Sequence, residues 1–430
     1  MAFENGWGGK TGGFRQRDFW VLLHRYTGLV TAVFLVLVGA TGGMLAFNSE
    51  LERIFAPRLF AKAPVGVAAL DLATLAENAQ RLVPNARLGG VAFTEADQVS
   101  AAFRPLKDPA TGIPATLGFT QFYLDPWTGR ELGRRTRGDL SEGVVNLMPF
   151  IYLLHFNMTL GESGQLILGL VALAWTVDCF VAVYLTFPNS TPRFWRRWRL
   201  AWRIKPGAGT YRFHFDLHRA GGLWLWPPLL VFAWSSVMMN IRFPVYDWVM
   251  NRLFDYESPR VAVAAMPKRA NALPRLDWRA AQATGEKLIA ELAAHYRFTV
   301  RQPLGLVYNE RTGAYSYQVR GSQDLFERAH KGGSTVVVFD GDTGALIRLH
   351  RPTGERLGNS IESWLYALHM ARVFGRPYQI FVSALGVLVA LLSVTGVYIW
   401  WKKRRARLLS GKRRDRRQSG VDRADARVDV

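Results

Sequence analysis

Four apolar runs constrain the fold of this chain more than any other feature of its sequence. Each run is long enough to cross the roughly 30 Å hydrocarbon core of a bilayer as a helix. The runs extend from Trp20 to Phe47, from about Gln165 to Phe187, from about Leu217 to Ile241 and from about Tyr378 to Trp401. The first run exceeds a signal-peptide core in length, so we expect it to be an uncleaved anchor. The sequence therefore predicts an integral membrane protein with four transmembrane helices.

The distribution of Lys and Arg predicts how these helices are oriented. The 188–213 connection carries seven basic residues and no acidic residue, and the 402–430 tail carries 12 basic residues against 4 acidic ones. By contrast, 48–149 holds 11 of each kind, and 242–363 holds 17 basic and 13 acidic residues. Because cytoplasmic flanks are enriched in Lys and Arg, we predict that both termini and the 188–213 loop are cytoplasmic.

The net charge of +21 would also suit a nucleic-acid-binding protein. However, one of the basic clusters, FWRRWRLAWRIK at 194–205, closely follows an apolar run. At such a place tryptophans favour the headgroup level and arginines contact anionic lipid. We therefore predict a lipid bilayer and no nucleic acid as partner. The single cysteine, Cys179, lies inside an apolar run and is interpreted as a small buried side chain.

Two pairs of matching segments indicate an internal duplication. LHRYTGL at 23–29 matches LHRAGGL at 217–223 with an offset of 194 residues. YLLHFNMTLGESGQ at 152–165 matches YALHMARVFGRPYQ at 366–379 with an offset of 214 residues. Both copies run in the same direction, which predicts a parallel repeat about an axis along the membrane normal.

The two long polar segments between the runs carry the signals of small α+β domains. FYLDPWTGREL at 122–132 and VVFDGDTGALI at 337–347 both indicate a strand, a D-x-x-T-G turn and a strand. GLVYNERTGAYSYQVR at 305–320 predicts a further hairpin, and helical patterns cover Leu72 to Leu82 and Trp278 to Tyr296. The predicted fold class is a membrane α-helical bundle of four transmembrane helices, built by tandem duplication, with two small α+β extracytoplasmic domains.

These signals divide the chain into nine segments that alternate between cytoplasm, membrane and exterior. In chain order we predict a cytoplasmic N-terminus (1–18), transmembrane helix 1 (19–47), extracytoplasmic domain 1 (48–149), an interfacial segment with a histidine and transmembrane helix 2 (150–187), a basic cytoplasmic loop (188–213), transmembrane helix 3 (214–241), extracytoplasmic domain 2 (242–363), a second interfacial segment with a histidine and transmembrane helix 4 (364–401), and a basic cytoplasmic tail (402–430). Each half of the repeat then contributes one helix, one domain and one further helix.

Four histidines form two pairs according to their repeat position and membrane depth. His24 lies about one turn inside predicted transmembrane helix 1 (19–47) and His218 at the same level of helix 3 (214–241), on the predicted cytoplasmic side. His155 and His369 precede the second and fourth runs, on the outer side. Ionisable side chains at such places are costly and usually functional. A twofold axis between the halves would bring the members of each pair together.

Two facing imidazoles can bind one haem iron from opposite sides. We therefore predict two haem b groups with these four histidines as axial ligands. A proton relay and a bare metal site are the alternatives. No Asp or Glu is expected beside the histidines at matching depth, which disfavours both alternatives.

Residues next to the cytoplasmic histidines add to this prediction. Gly28 and Gly222 would let a large ring approach the helix backbone. Arg25 and Arg219 follow His24 and His218 in sequence and could pair with haem propionates, or they could only extend to the interface.

Three questions stay open at the level of sequence. His214 lies four residues before His218 on the same helix face and could replace it as the ligand. Asp178, deep in the second run, could form a structural hydrogen bond or belong to a proton path. The histidines of the second outer domain are interpreted as solvated or structural; these are His295, His330 and His350.

Several of these motifs together resemble those of a known family. The LHR-x-x-GL segments, the LH-x(5)-G elements and the YIWWKKRR ending resemble the PepSY-associated transmembrane proteins, also called iron-regulated membrane proteins. The D-x-x-T-G hairpins are similar to PepSY domains. The resemblance implies an inner-membrane protein of bacterial iron uptake, and it implies haem ligation by the four histidines, as in relatives that reduce ferric siderophores.

On this interpretation the substrate is a ferric siderophore or another Fe(III) chelate, and no side chain is itself catalytic. Because no G-x-G-x-x-G follows a strand, the electron donor would be a cytoplasmic reductase or a membrane quinol. The alternatives are a non-redox PepSY-type regulator, sensor or assembly factor and, second, a transporter.

Overall fold

The computed structural model describes residues 16–107, 111–189, 192–258, 273–325 and 333–425, and side chains through residue 410. The start of the predicted N-terminal segment and His330 lie outside these residues. The helices, in chain order, are α1 (Gln16–Leu45), α2 (Asn48–Phe55), α3 (Leu72–Leu82), α4 (Leu147–Asn157), α5 (Gly161–Thr186), α6 (Phe194–Trp198), α7 (Thr210–Trp224), α8 (Trp226–Asn240), α9 (Asp247–Leu253), α10 (Trp278–Tyr296), α11 (Leu357–His369) and α12 (Gly375–Asp425). The strands are β1 (Ala86–Glu95), β2 (Gln98–Pro105), β3 (Gln121–Leu124), β4 (Glu131–Arg135), β5 (Val300–Asn309), β6 (Ala314–Gly321), β7 (Thr335–Asp340) and β8 (Leu346–His350).

Three helices in the described part of the chain are long and apolar enough to cross a membrane. They are α1, α5 and the first part of α12, through Ser410, and their mean hydropathies are 2.1, 2.3 and 2.4. These helices confirm the first, second and fourth apolar runs as candidate spans.

The third run forms two helices instead of one. α7 and α8 meet at a bend of 70°. Only the two helices together are long and apolar enough to form a fourth span. The third run is therefore a bent pair of helices and not one straight helix, and its crossing of the membrane as transmembrane helix 3 (214–241) stays a prediction. Pro227 and Pro228 lie in the first turn of α8. Proline has no N–H donor and its ring collides with the preceding turn, so the hydrogen-bond ladder of α7 cannot continue through this point.

The described residues divide into two compact units. The helical unit comprises residues up to Ala40, Leu168–Ser236 and the chain from Leu385 onward. Its core contains Leu35, Leu229 and Cys179, and the last of these is buried as predicted. Gly39 allows α1 and α12 to pack closely here, since a Cβ at this position would lie 2.6 Å from the carbonyl oxygen of Gly386.

The sheet unit comprises Thr41–Ile167 and Val237–Ala384 and contains an eight-stranded antiparallel sheet. The strand order is β4-β3-β2-β1-β5-β6-β7-β8, so each predicted outer segment contributes four consecutive strands. β1 and β5 join the two sets, with Val91 opposite Leu306. The two segments therefore share one sheet and do not form separate sheets. Pairing β1 with β5 satisfies backbone groups that two separate sheets would leave exposed at their edges.

The local elements predicted for this unit are confirmed. α3 and α10 have the predicted bounds, and their N-caps Asp71 and Asp277 accept hydrogen bonds from backbone N–H groups in the first turn. In both D-x-x-T-G turns the Asp side chain accepts backbone N–H groups and the Gly has positive φ. The two helices cover one face of the sheet, where the buried residues include Leu75, Phe122 and Phe339.

A buried ion pair connects α2 to the sheet. The Arg135 side chain is 4% exposed, and its Nη2 lies 2.6 Å from Oε1 of Glu52. The same guanidinium donates to the Val145 carbonyl and the Tyr123 hydroxyl. The free-energy cost of burying a charge is offset only when the charge is paired and hydrogen-bonded. These partners therefore explain why a buried arginine is tolerated here.

Two histidine pairs as the candidate metal centres

The helical unit brings His24 and His218 close together, with their rings tilted against each other. Their ring centroids lie 6.2 Å apart and their planes form an angle of 53°. His24 lies on α1 and His218 on α7, at positions that the sequence repeat makes equivalent. The pairing predicted from the repeat is therefore present in the geometry of this unit.

Hydrogen bonds fix which nitrogen of each ring is protonated. Nδ1 of His24 lies 2.9 and 3.0 Å from the two carboxylate oxygens of Asp178. Nδ1 of His218 lies 2.9 Å from the carbonyl oxygen of Leu392 and 3.2 Å from the Thr395 hydroxyl. A carboxylate and a carbonyl only accept hydrogen bonds, so both Nδ1 atoms donate. The lone pair on each Nε2 is then available to a metal.

The contact between Asp178 and His24 contradicts the expectation that no acidic residue accompanies the histidines. Apolar residues occupy every face of α5 around Asp178, so the sequence pattern does not show which way Asp178 faces. The packing of α5 against α1 within this unit settles this point. Of the two roles left open for Asp178, the structure shows a hydrogen bond.

Small residues surround this pair. A Cβ on Gly396 would lie 3.1 Å from Cε1 of His218, so the glycine leaves room for the imidazole. Apart from their chain neighbours and the backbone of their own helices, Gly28 and Gly222 have no described heavy atom within 4 Å of the place where a Cβ would be. These two equivalent positions border open space, as required for a flat ring that approaches the backbone.

The sheet unit brings His155 and His369 together in the same manner. Their ring centroids also lie 6.2 Å apart, with an angle of 61° between the planes. His155 lies near the end of α4 and His369 ends α11. After each helix the chain turns sharply into the next one, and Gly161 and Gly375 both have φ of +61° in these turns. The LH-x(5)-G element is thus a helix end followed by a turn in which the glycine adopts a left-handed conformation.

Two neighbours on α1 fix the position of His155. Its Nδ1 lies 3.0 Å from the Thr41 hydroxyl. A Cβ on Gly42 would lie only 2.9 Å from its Cε1, so the ring occupies the space that glycine leaves free. Burial, with a smaller effect of charge on His155, lowers the pKa of His369 to about 3. His369 is therefore neutral at physiological pH, as a metal ligand must be.

The separation of the rings fits one iron atom between each pair. A metal–imidazole bond is about 2 Å and a ring centre lies about 1.1 Å from its nitrogen, so two imidazoles that share an iron have centroids about 6 Å apart. Both observed separations are 6.2 Å. Within the described ranges no group of three or more His, Cys, Asp or Glu side chains could hold a metal ion. The two imidazoles of each pair would suit a haem iron, which would supply one-electron chemistry when bound.

His214 lies on the same helix as His218 but does not face His24. Its ring contacts Tyr398, with a centroid separation of 4.7 Å. At the equivalent positions of the first half, Trp20 contacts Tyr184 at 6.2 Å. The structure thus brings His218, and not His214, to the partner histidine.

The arginines beside the cytoplasmic histidines have different surroundings. Arg219 donates to Asp216 Oδ1 at 2.8 Å and to the carbonyl oxygens of Ala201 and Leu200. Arg25 is half-buried. A role for either residue in binding propionates stays a prediction. Of the remaining histidines in the described part, His295 is exposed and His350 is half-buried, and neither joins a pair.

These observations define a membrane protein that carries two facing pairs of histidines. The family model described as the PepSY-associated TM region matches residues 21–403, and the chain belongs to this family. No curated protein matches the sequence.

Proposed function

We propose that this chain is a b-type cytochrome of the bacterial inner membrane that binds two haem groups and reduces ferric chelates, such as siderophores, during iron uptake. The observation that carries the proposal is the equal 6.2 Å separation of the two histidine pairs. Bound haem would supply one-electron transfer between a cytoplasmic donor and an Fe(III) chelate outside.

The residues of this chain would hold and orient the two cofactors. His24 and His218 would ligate one iron, and His155 and His369 the other. The acceptors at Nδ1 of the first pair fix the tautomer and ring orientation, as is usual for metal-bound histidine. Gly28 and Gly222 would leave space for the porphyrin edge, and Arg25 and Arg219 remain candidates for its propionates.

We also infer that the fold arose by tandem duplication and that both termini are cytoplasmic. Equivalent glutamines support the duplication, since Gln165 donates to the Met239 carbonyl and Gln379 to the Ala46 carbonyl. The basic 188–213 loop and tail support the orientation. The shared sheet would then correspond to two PepSY-like domains on the outer side, in a position to bind the chelate or to cover the nearby iron.

Reduction is a chemically sufficient way to release the metal. Fe(III) is a hard cation that oxygen chelators bind tightly, and the added electron weakens that preference. The donor would be a separate reductase or a membrane quinol. A flavin or nicotinamide site is not proposed, because the sequence contains no motif for one.

Stopped-flow spectroscopy tests the proposal on the full-length purified protein. Protein reduced by a stoichiometric amount of dithionite should be reoxidised by a ferric siderophore, with Fe(II) captured by a chromogenic chelator. His155→Ala should lose one haem and slow this reoxidation, whereas the exposed control His295→Ala should behave as the wild type. A haem-free protein, or a haem that the ferric chelate does not oxidise, would contradict the proposal and favour a non-redox regulator.

A further inference from the structure

The two histidines of the helical unit have electrically different partners. Nδ1 of His24 donates to the carboxylate of Asp178, whereas Nδ1 of His218 donates to the neutral carbonyl of Leu392. Positions 178 and 392 are equivalent in the repeat. The two halves therefore use the same position to support the ligand, but only the first half places a carboxylate there.

The apolar surroundings of Asp178 screen its negative charge only weakly. Its side chain is 13% exposed and lies on α5, whose most apolar part has a mean hydropathy of 2.3. A carboxylate in an apolar span is costly unless it is paired. Among the described residues, His24 is its one partner within ion-pair distance. The field of the carboxylate is thus directed at this ligand and is poorly screened by water.

We propose that Asp178 is a positioning residue that lowers the reduction potential of the iron held by His24 and His218. The inference rests on the proposed haem binding. A carboxylate that accepts from Nδ1 makes the imidazole a stronger donor to the metal, and its charge stabilises Fe(III) relative to Fe(II). Both effects act in the same direction.

The second pair contains a neutral counterpart. Nδ1 of His155 lies 3.0 Å from the Thr41 hydroxyl, which carries no charge. Lowering the potential at His24 and His218 therefore shifts the equilibrium distribution of electrons toward His155 and His369. In this way one acidic side chain gives the two sites different roles in a pseudo-symmetric chain.

Redox titration of the full-length, haem-loaded protein tests the inference. Asp178→Asn removes the charge and keeps an oxygen that can accept from Nδ1 of His24. We expect the equilibrium constant for reduction of this site to rise at least tenfold, which for one electron is about 59 mV. The second potential should not move. Repeating the titration with His155→Ala, which leaves only the His24–His218 site loaded, assigns the shifted potential.

Two further variants separate charge from structure. Thr395→Val removes a neutral contact of His218. It should change the equilibrium constant for reduction of this site by less than tenfold. Asp178→Glu keeps the charge and should restore the low potential. If Asp178→Asn retains both haems and neither potential moves, the inference is wrong.

Loss of haem from a variant also tests the inference. Loss of one haem from Asp178→Asn, with retention at the wild-type potential in Asp178→Glu, would support the need for a carboxylate. Loss of this haem from both Asp178→Asn and Asp178→Glu would contradict the inference, because the role of Asp178 would then be steric. Absence of haem from the wild-type protein would overturn the proposed function itself and is recognised before any variant is made.

Discussion

His155 and His369 face each other with ring centroids 6.2 Å apart, although 214 residues separate them in sequence. The ring of His155 lies where a side chain on Gly42 would be, so its position depends on a residue of α1. The pair thus depends on residues of α4, α11 and the last turn of α1.

Substituting His218 and His214 separately should distinguish a ligand from its neighbour. His218→Phe should lose the haem of the first pair, because no other imidazole in the described part of the chain faces His24. His214→Phe should retain it, because His214 packs on Tyr398. Haem content and the low-spin absorption bands report both results. Loss of haem in the His214 variant with retention in the His218 variant would assign the ligand to His214.

Gly42→Ala should remove or distort the second site alone. The added methyl group would lie about as close as 2.9 Å to Cε1 of His155, below any normal contact. We expect the haem-to-protein ratio to fall from two toward one, with the first site as the internal control. Equal loss of both haems would show general unfolding, and retention of both with unchanged spectra would contradict the packing.

Acidification should destabilise the sheet unit through His350. Burial lowers the pKa of His350 below its ordinary value of 6.5, although Glu355 acts in the opposite direction. The unfolded chain therefore binds a proton more readily, and stability is lost as pH falls through about 6.5 toward the pKa of the folded state. Thermal unfolding at pH 7.5 and 5.5 should show a smaller drop in Tm for His350→Gln than for the wild type. An equal drop in both would exclude His350 as a cause.

Two adjacent arginines should differ greatly in their contribution to stability. Arg135→Ala leaves the buried Glu52 without its partner and should cost about 3–5 kcal/mol. Arg134→Ala removes an ion pair whose arginine is 42% exposed, and this change should cost about 1 kcal/mol or less. Denaturant unfolding in detergent measures both. Similar losses for the two variants would contradict the buried pairing.

Local signals in the sequence predicted much of this fold. The bounds of α3 and α10 follow from Asp N-caps and apolar periodicity, which act within a few residues. The two D-x-x-T-G turns follow in the same way from the Asp side chain and the Gly with positive φ. The two histidine pairs were predicted from repeat offsets, because equivalent residues occupy equivalent places in a duplicated chain.

Other features depended on contacts that local patterns do not encode. β1 pairs with β5, a strand more than 200 residues away, and no local pattern in either strand indicates this partner. The facing of Asp178 toward His24 depends on the rotation of an evenly apolar helix. The bend between α7 and α8 did have a sequence signal, the adjacent Pro227 and Pro228, which the length of the apolar run concealed.

The haem-to-protein ratio of the purified full-length chain shows whether both histidine pairs bind haem. Pyridine haemochrome analysis together with amino-acid analysis should give two b-type haems per chain, and the reduced spectrum should show six-coordinate, low-spin iron. A ratio near zero in protein produced with adequate haem supply, or high-spin iron with a single axial histidine, would contradict the account.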